Sequence, residues 1–193
     1  MKTDPKWDPL IFCIVFSVVC LLVAYLAYND VQKYRGDKSM REKLERILIQ
    51  EECGSWRVDE LLIVRKDYGA KLVVGIGHDI RPSDELKLGD KISYAQSSRL
   101  FTVDVNAALD SASSIISGFS THPEDVQIVV SAMCFQLGRT GVRKFKKMIA
   151  AINDRNYDLA ADEMLNSLWA KQTTRRAQRM ASLMRISVPS SGG

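Results

Sequence analysis

The sequence has few of the residues that build metal sites and disulfide frameworks. Its 193 residues include four cysteines and two histidines, and these do not occur at metal-ligand spacing. Cys13 and Cys20 fall inside an apolar run, and Cys53 and Cys134 occur singly in dissimilar contexts. We therefore expect no disulfide framework, no metal and no cofactor.

The sequence also lacks a strong excess of one charge sign. It carries 27 lysines and arginines against 23 acidic residues, a formal net charge of +4, and the two signs are interspersed. A dedicated nucleic-acid binder has a one-sided basic field, so no nucleic-acid partner is expected. Internal repeats are absent from the sequence as well.

Two glycines beside a histidine in "GIGHD", residues 75–79, do not form a nucleotide-binding motif. Ile80 occupies the place of the third glycine of a dinucleotide fingerprint, and no Gly-Lys-Ser/Thr ending follows. The flanking segments "ELLIVRKD" and "AKLVVGIGHD" are rich in β-branched residues and are separated by "YGA". This pattern predicts a β-hairpin with Gly69 in its turn and Asp67 exposed there.

Residues 10–28 form a long apolar run without charge, proline or glycine. Its length is about that needed to cross a bilayer as one helix, and it exceeds the apolar core of a cleavable signal peptide. The sequence therefore predicts a retained single-pass transmembrane helix, with the lipid bilayer as a partner.

Capping signals divide the remaining chain into helices. Ser39 with Glu42 predicts the start of a first helix that ends before "CGS", and Ser93 predicts the start of a long amphipathic helix. The next helix, behind Pro123 and ending at Gly138, is apolar nearly all round, which indicates a buried central helix. Short helices follow, and residues 187–193 are predicted to be a flexible tail.

Acidic residues at a helix end and in a hairpin turn suit the hydrolysis of a glycosidic bond. That reaction needs one carboxyl group to protonate the leaving oxygen and a second carboxylate to stabilise positive charge or activate water. Acidic side chains are mostly exposed on protein surfaces, so the 23 in this chain do not identify such a pair by composition.

Four segments in the same order resemble the phage-type lysozymes of the T-even kind, glycoside hydrolase family 24. They are "GIGHD", "RLFTVDVNAAL", "FQLGRTGVRKF" and "SLWAKQTTRRAQR", within about Met40 to Ile186. The resemblance implies a mainly helical α+β fold with two lobes: a small β-hairpin lobe, a long connecting helix and a helical lobe. Polysaccharide would bind in the cleft between the lobes.

The predicted domain boundaries combine the resemblance with the apolar run. We expect a tail at 1–9, the transmembrane helix at 10–28, a linker at 29–38, a lysozyme-like domain at 39–186 and the flexible tail at 187–193. Within the domain, 39–92 would hold the first helix and the β lobe, 93–119 the interlobe helix and 120–186 the helical lobe.

The resemblance also implies the catalytic pair. Asp67 lies at the family's distance before "GIGH", and Glu52 at the end of the first helix matches the catalytic acid, with Glu51 as the rival. Cys53 follows where the family usually has glycine, and about six extra residues precede Asp67. Glu60 in "RVDE" mimics the acid motif, but it is discounted because it is predicted to enter the strand.

Further residues take roles by position in the same pattern. The resemblance implies substrate binding by Gln136 and Thr173, structural support from His78 with Asp104 and from Arg176 beside the acid, and Val73 in place of a threonine that helps to hold the attacking water. Trp169 is expected to be a core residue. Because valine lacks the hydroxyl, the water would lose a hydrogen-bond partner.

The sequence thus predicts a membrane-anchored muramidase for phage-mediated cell-wall degradation, with an inverting mechanism and bacterial peptidoglycan as its substrate. The alternative is a catalytically weak lysozyme-fold protein that binds peptidoglycan in a virion or lysis complex. Holin or virion membrane proteins are possible partners. We expect the domain to act on the periplasmic side of the host inner membrane or to begin in a virion membrane, although basic residues behind the span favour a cytoplasmic domain.

Overall fold

The computed structural model describes residues 38–54, 58–67 and 69–186. The chain consists of two compact units, Met1–Arg41 and Glu42–Gly193, and in the first unit only residues 38–41, which are helical, are described. The predicted transmembrane helix at 10–28 and the tails at 1–9 and 187–193 lie outside the described residues, as does the linker up to residue 37. Among the described helices, none is long and apolar enough to cross a bilayer.

The small lobe begins with helix and continues into a three-stranded antiparallel sheet. Residues 38–53 are helical (α1), and a short helix α2 covers Val58–Leu61. Strands β1 (Arg65–Lys66), β2 (Leu72–Val74) and β3 (His78–Asp79) follow in the sheet order β1-β2-β3. The predicted hairpin is therefore present, and β3 extends it. Glu60 lies in α2 rather than in a strand, so that expectation was wrong.

The two faces of the sheet have different neighbours. Leu72 and Val74 pack into a small apolar core with Leu62, Val64 and Ile92. Because side chains alternate along a strand, Val73 lies on the opposite face.

A long helix connects the sheet to the helical lobe. Helix α3 covers Tyr94–Ile115 and packs against both β3 and the next helix. The Ser93 hydroxyl accepts a hydrogen bond from the Gln96 backbone, and the Gln96 side chain accepts one from the Ser93 backbone, which is the predicted capping box.

The helical lobe forms the main core. Helix α4 (Glu124–Val142) buries Val126, Ile128, Val129, Val130 and Met133, as its apolar pattern predicts. The continuous helical conformation ends at Gly138, as predicted, because that residue has a φ of 67°; after this kink a helical turn continues to Val142. The remaining helices are α5 (Lys146–Asn153), α6 (Tyr157–Leu165), α7 (Leu168–Gln172) and α8 (Thr174–Ile186). The fold is mainly helical α+β, as expected.

Candidate active site

Glu52 lies in the last turn of α1, against the turn that joins β2 to β3. A Cβ atom on Gly77 would lie 2.9 Å from Oε2 of Glu52 and 3.1 Å from its Cγ. Gly77 has a φ of 70°, which favours glycine. The second glycine of "GIGHD" therefore allows the sheet to approach this carboxyl group closely.

The first glycine of the motif brings the same turn to the long helix. Gly75 has a φ of 60°, and a Cβ atom there would lie 2.5 Å from Oγ of Ser97 on α3. Both glycines thus serve close packing of the β2–β3 turn, one against α3 and one against α1.

Two arginines of α8 hold the end of α1. Arg176 donates from Nη1 to Oε1 of Glu52 at 2.9 Å, and from Nε to Oε2 of Glu51 at 3.1 Å. Arg179 donates to both carboxylate oxygens of Glu51, at 2.7 and 2.6 Å. The side chain of Glu51 is 8% exposed and that of Glu52 is 20% exposed.

These contacts distinguish the two glutamates. Burial raises the pKa of the Glu51 carboxyl, but hydrogen bonds from Arg179 and the charge of Arg176 outweigh burial, so the pKa is lowered overall. Glu51 is therefore held as a carboxylate in a double ion pair. Glu52 receives a single hydrogen bond from Arg176, and its other oxygen faces the Gly77 turn.

Asp67 lies directly after β1 and is exposed. Its Oδ1 accepts hydrogen bonds from the backbone N–H groups of Gly69 and Lys71, both at 2.8 Å. The Lys71 ammonium pairs with Asp79 at 3.3 Å instead. Among the described residues no donor contacts Oδ2 of Asp67, so the turn fixes the carboxylate through one oxygen and leaves the other accessible.

Val73 lies at the centre of the sheet. It is 8% exposed, and its register partners are Arg65 on β1 and Asp79 on β3. Burial lowers the pKa of the half-buried Arg65 guanidinium, while the nearby carboxyl group of Glu52 acts in the opposite direction. Arg65 is therefore close to the end of α1 as well as to Val73.

His78 is buried between two carboxylates. Its Nδ1 lies 2.6 Å from Oδ2 of Asp104 on α3, and its Nε2 lies 3.1 Å from Oδ2 of Asp84. Arg81 donates to the other oxygen of Asp104 at 2.9 Å. The structure thus brings His78 and Asp104 together, as the resemblance implied, and adds Asp84 to the pair.

Trp169 holds the side chain of Gln136, which lies on α4 in the helical lobe. The indole Nε1 of Trp169 donates to Oε1 of Gln136 at 3.0 Å, and both line a small cavity with Glu51 and Arg176. Trp169 is buried, as expected. Thr173 ends α7, and its hydroxyl donates to the Trp169 carbonyl; among the described residues it has no hydrogen bond to either glutamate.

Residues 62–185 match the family model described as phage lysozyme, which is more than half of the chain. The chain belongs to the phage lysozyme family. It is accordingly a glycoside hydrolase of the lysozyme type. The matched segment contains Asp67, Val73, His78 and Arg176, whereas Glu52 precedes it.

Curated relatives agree with the family assignment. The chain is 30% identical over 122 residues to "Probable T4-type lysozyme 2" of Dictyostelium discoideum, covering 61% of this chain and 71% of that protein. It is 29% identical over 147 residues to "Probable T4-type lysozyme 1" of the same organism, covering 65% and 86%. It is 28% identical over 111 residues to "Peptidoglycan hydrolase gp36" of Pseudomonas phage phiKMV, covering 58% of this chain but 12% of that protein.

Reasoning from the sequence missed three residues of this site. Arg179 lies three residues after Arg176 on the same helix face, so helical spacing could have indicated it. Arg65 could have been found from the hairpin register with Val73. Asp84 lies in a 3₁₀ turn, Pro82–Asp84, and no periodic pattern places its side chain beside His78.

Proposed function

We propose that this protein is a muramidase that hydrolyses the β-1,4 bond between N-acetylmuramic acid and N-acetylglucosamine in bacterial peptidoglycan. The observation that carries the proposal is the pair of differently held carboxyl groups. Glu52 is half-buried between Arg176 and the Gly77 turn, while Asp67 is exposed and fixed through one oxygen. The relative named peptidoglycan hydrolase supports the choice of substrate.

The two groups suit the two roles of an inverting glycosidase. Glu52 donates its proton to the glycosidic oxygen, and the bond from that oxygen to C1 of the muramic acid breaks with its electron pair going to the leaving sugar. A water molecule attacks C1 from the opposite face, and Asp67 accepts the proton that the water loses. Inversion requires a carboxyl separation of about 6.5 to 9.5 Å, which leaves room for the water.

Glu52 is preferred to Glu51 as the acid because of their partners. Glu51 is engaged on both oxygens by Arg179, and its lowered pKa favours the ionised form, which cannot donate a proton. Glu60 is exposed on α2 and precedes the sheet. The assignment of Glu52 as the acid supports membership of the chain in glycoside hydrolase family 24.

Val73 stands where the resemblance places a threonine that helps to hold the attacking water. Valine has nearly the shape of threonine but cannot hydrogen-bond to water. The second candidate, a catalytically weak module that binds peptidoglycan in a virion or lysis complex, rests on this substitution.

The proposal includes membrane anchoring through residues 10–28. Their length and lack of charge support a retained span, and a dense content of Leu, Ile, Val and Phe favours stable insertion. Because long domains translocate largely regardless of flanking charge, we place the lysozyme domain on the periplasmic side of the host inner membrane, or in a virion membrane first. Host lysis or entry by a phage is the corresponding role.

A turbidity assay tests the activity. We expect the purified protein to clear chloroform-treated Gram-negative cells, Glu52→Gln to abolish clearing and Asp67→Asn to reduce it strongly, with circular dichroism unchanged. Glu60→Gln is the matched control and should clear at the wild-type rate. Clearing by Glu52→Gln at the wild-type rate would exclude the assigned acid, and binding to cell walls without clearing by the wild type would favour the second candidate.

Membrane anchoring needs its own experiment. Carbonate extraction of membranes should leave the full-length protein in the pellet, while a chain starting at residue 39 should be soluble. Recovery of the full-length protein in the supernatant would refute the anchor. Protease protection in spheroplasts then reports the side on which the domain lies.

A further inference from the structure

One face of the sheet carries the cationic side chain of Arg65 beside Val73, the valine at the position of the family's threonine. Val73 is paired in register with Arg65 across the β1–β2 ladder. Directly opposed residues of antiparallel strands point to the same face, with Cβ atoms about 5 Å apart. Leu72 and Val74 point to the other face, into the small apolar core. Arg65 and Val73 are therefore neighbours on the face away from that core.

The guanidinium of Arg65 lies toward the catalytic side of the small lobe. Its Nη1 donates to the Leu61 carbonyl at 3.4 Å, so the side chain folds back toward the start of the sheet. The neighbouring carboxyl group of Glu52 favours the charged form of Arg65 against burial. Arg65 is half-buried, so its guanidinium is less hydrated than it would be on an exposed strand.

We propose that Arg65 holds the attacking water at the place where Val73 offers no hydroxyl. This inference rests on the proposed function, since it assigns a residue to the same hydrolytic step. It makes Arg65 the polar group that compensates for the valine in this chain.

The donor and acceptor count of the water permits this role. A water molecule has two hydrogens and two lone pairs, and one lone pair forms the new bond to C1. An N–H of Arg65 donates to the second lone pair, and Asp67 accepts one hydrogen and then the proton as the bond forms. Arginine has five N–H donors and no acceptor, so it can fix the water without competing with Asp67 for its proton.

A double-mutant cycle with Val73 tests the proposal. The variants are Arg65→Met, which keeps an unbranched stem without N–H donors, Val73→Thr, and the pair, each measured for kcat and KM on purified peptidoglycan. Lys66→Met is the matched control, because it removes the neighbouring exposed cation, whose register partner Leu72 lies on the core face.

We expect Arg65→Met to lower kcat about tenfold with KM nearly unchanged, as for the loss of one charge-assisted hydrogen bond in the transition state. Val73→Thr should restore most of that loss in the Arg65→Met background and raise the wild-type kcat less than about twofold. Arg65→Lys should retain more activity than Arg65→Met because the ammonium still donates. Lys66→Met should leave kcat unchanged.

The proposal is overturned if Arg65→Met keeps the wild-type kcat, or if Val73→Thr gives the same fold-change in both backgrounds. If Arg65→Met does not fold by circular dichroism, Arg65→Gln with and without Val73→Thr supplies the same comparison, and the same two results would overturn the proposal. Failure of the proposed function gives a different result, because the wild type, Lys66→Met and Val73→Thr would then all lack activity.

Discussion

The carboxyl group of Glu52 packs against Gly77, the second glycine of "GIGHD". A Cβ atom on Gly77 would lie 2.9 Å from Oε2 and 3.2 Å from Cδ of Glu52. The position of the proposed acid is thus set on one side by Arg176 and on the other by a residue without a side chain.

Gly77→Ala should displace Glu52 and reduce activity beyond its effect on stability. Gly89 provides the control, because its φ of 91° also favours glycine but no atom lies within 4 Å of its Cβ position. Both alanine variants should lose about 1 to 2 kcal/mol of unfolding free energy through backbone strain. Only Gly77→Ala should also lose kcat, by about tenfold or more, because a small misplacement of a reacting group is costly. Equal kcat values for both variants would show that the contact does not position the acid.

Glu51→Gln should destabilise the protein while leaving proton donation in place. The substitution breaks a largely buried carboxylate pairing with Arg176 and Arg179, which costs about 3 kcal/mol. Thermal unfolding measures the loss, and a turbidity assay well below the lowered melting temperature measures the activity. An inactive but folded Glu51→Gln protein would transfer the acid role from Glu52 to Glu51.

The lowered pKa of Glu51 predicts how the free energy of unfolding depends on pH. The pKa of Glu51 is below its ordinary value of 4.5 in the folded protein. A lowered folded-state pKa stabilises the protein above the unfolded-state pKa, and this stabilisation is lost as the pH falls through the folded-state pKa. The stability difference between wild type and Glu51→Gln should therefore be full at pH 7 and shrink below about pH 4.5. A difference that grows toward acid pH would contradict the ion-pair account.

Asp84→Asn should weaken the link between His78 and the loop before α3. A backbone hydrogen bond from Arg81 and the interaction with His78 outweigh burial, so the pKa of Asp84 is lowered. We expect a loss of about 1 to 2 kcal/mol near neutral pH, as for a hydrogen bond to a charged group, which disappears in strong acid as Asp84 is protonated. Asp79→Asn, which loses an exposed pair with Lys71, should change the unfolding free energy by less than about 1 kcal/mol.

Trp169→Phe should raise KM, because the side chain of Gln136 loses the hydrogen bond that holds it. Phenylalanine keeps an aromatic ring against Phe145 but removes the N–H that holds Oε1 of Gln136. We expect KM on peptidoglycan to rise about threefold to tenfold, the effect of roughly one neutral hydrogen bond. Phe145→Leu removes the ring contact and keeps the N–H, so it should lower stability without raising KM. A KM that stays constant in Trp169→Phe would separate Gln136 from substrate binding.

Much of the fold follows from local patterns in the sequence. The Ser93 capping box, the all-round apolar surface of α4 and the β-branched strands each specify their own element, because capping and periodicity act over a few residues. The short helix α2 was not predicted, because "VDELL" has strand-like composition in its second half and its helical turn depends on packing.

The site was less predictable than the fold for a physical reason. The pairing of His78 with Asp104, and the approach of Arg176 to Glu52, were implied by resemblance to a known family. Contacts particular to this chain, such as Asp84 with His78, join residues whose proximity depends on loop geometry. No hydrophobic period encodes such a contact, and a charged residue in a loop is most often solvated.

The anomeric configuration of the first product tests the central claim most directly. Proton NMR spectra recorded during the first moments of peptidoglycan hydrolysis distinguish the α and β anomers of the new reducing end. If Glu52 donates the proton and water activated by Asp67 attacks from the opposite face, the new reducing end is N-acetylmuramic acid and appears first as the α anomer. Initial formation of the β anomer, or a new reducing end on N-acetylglucosamine, would contradict the account.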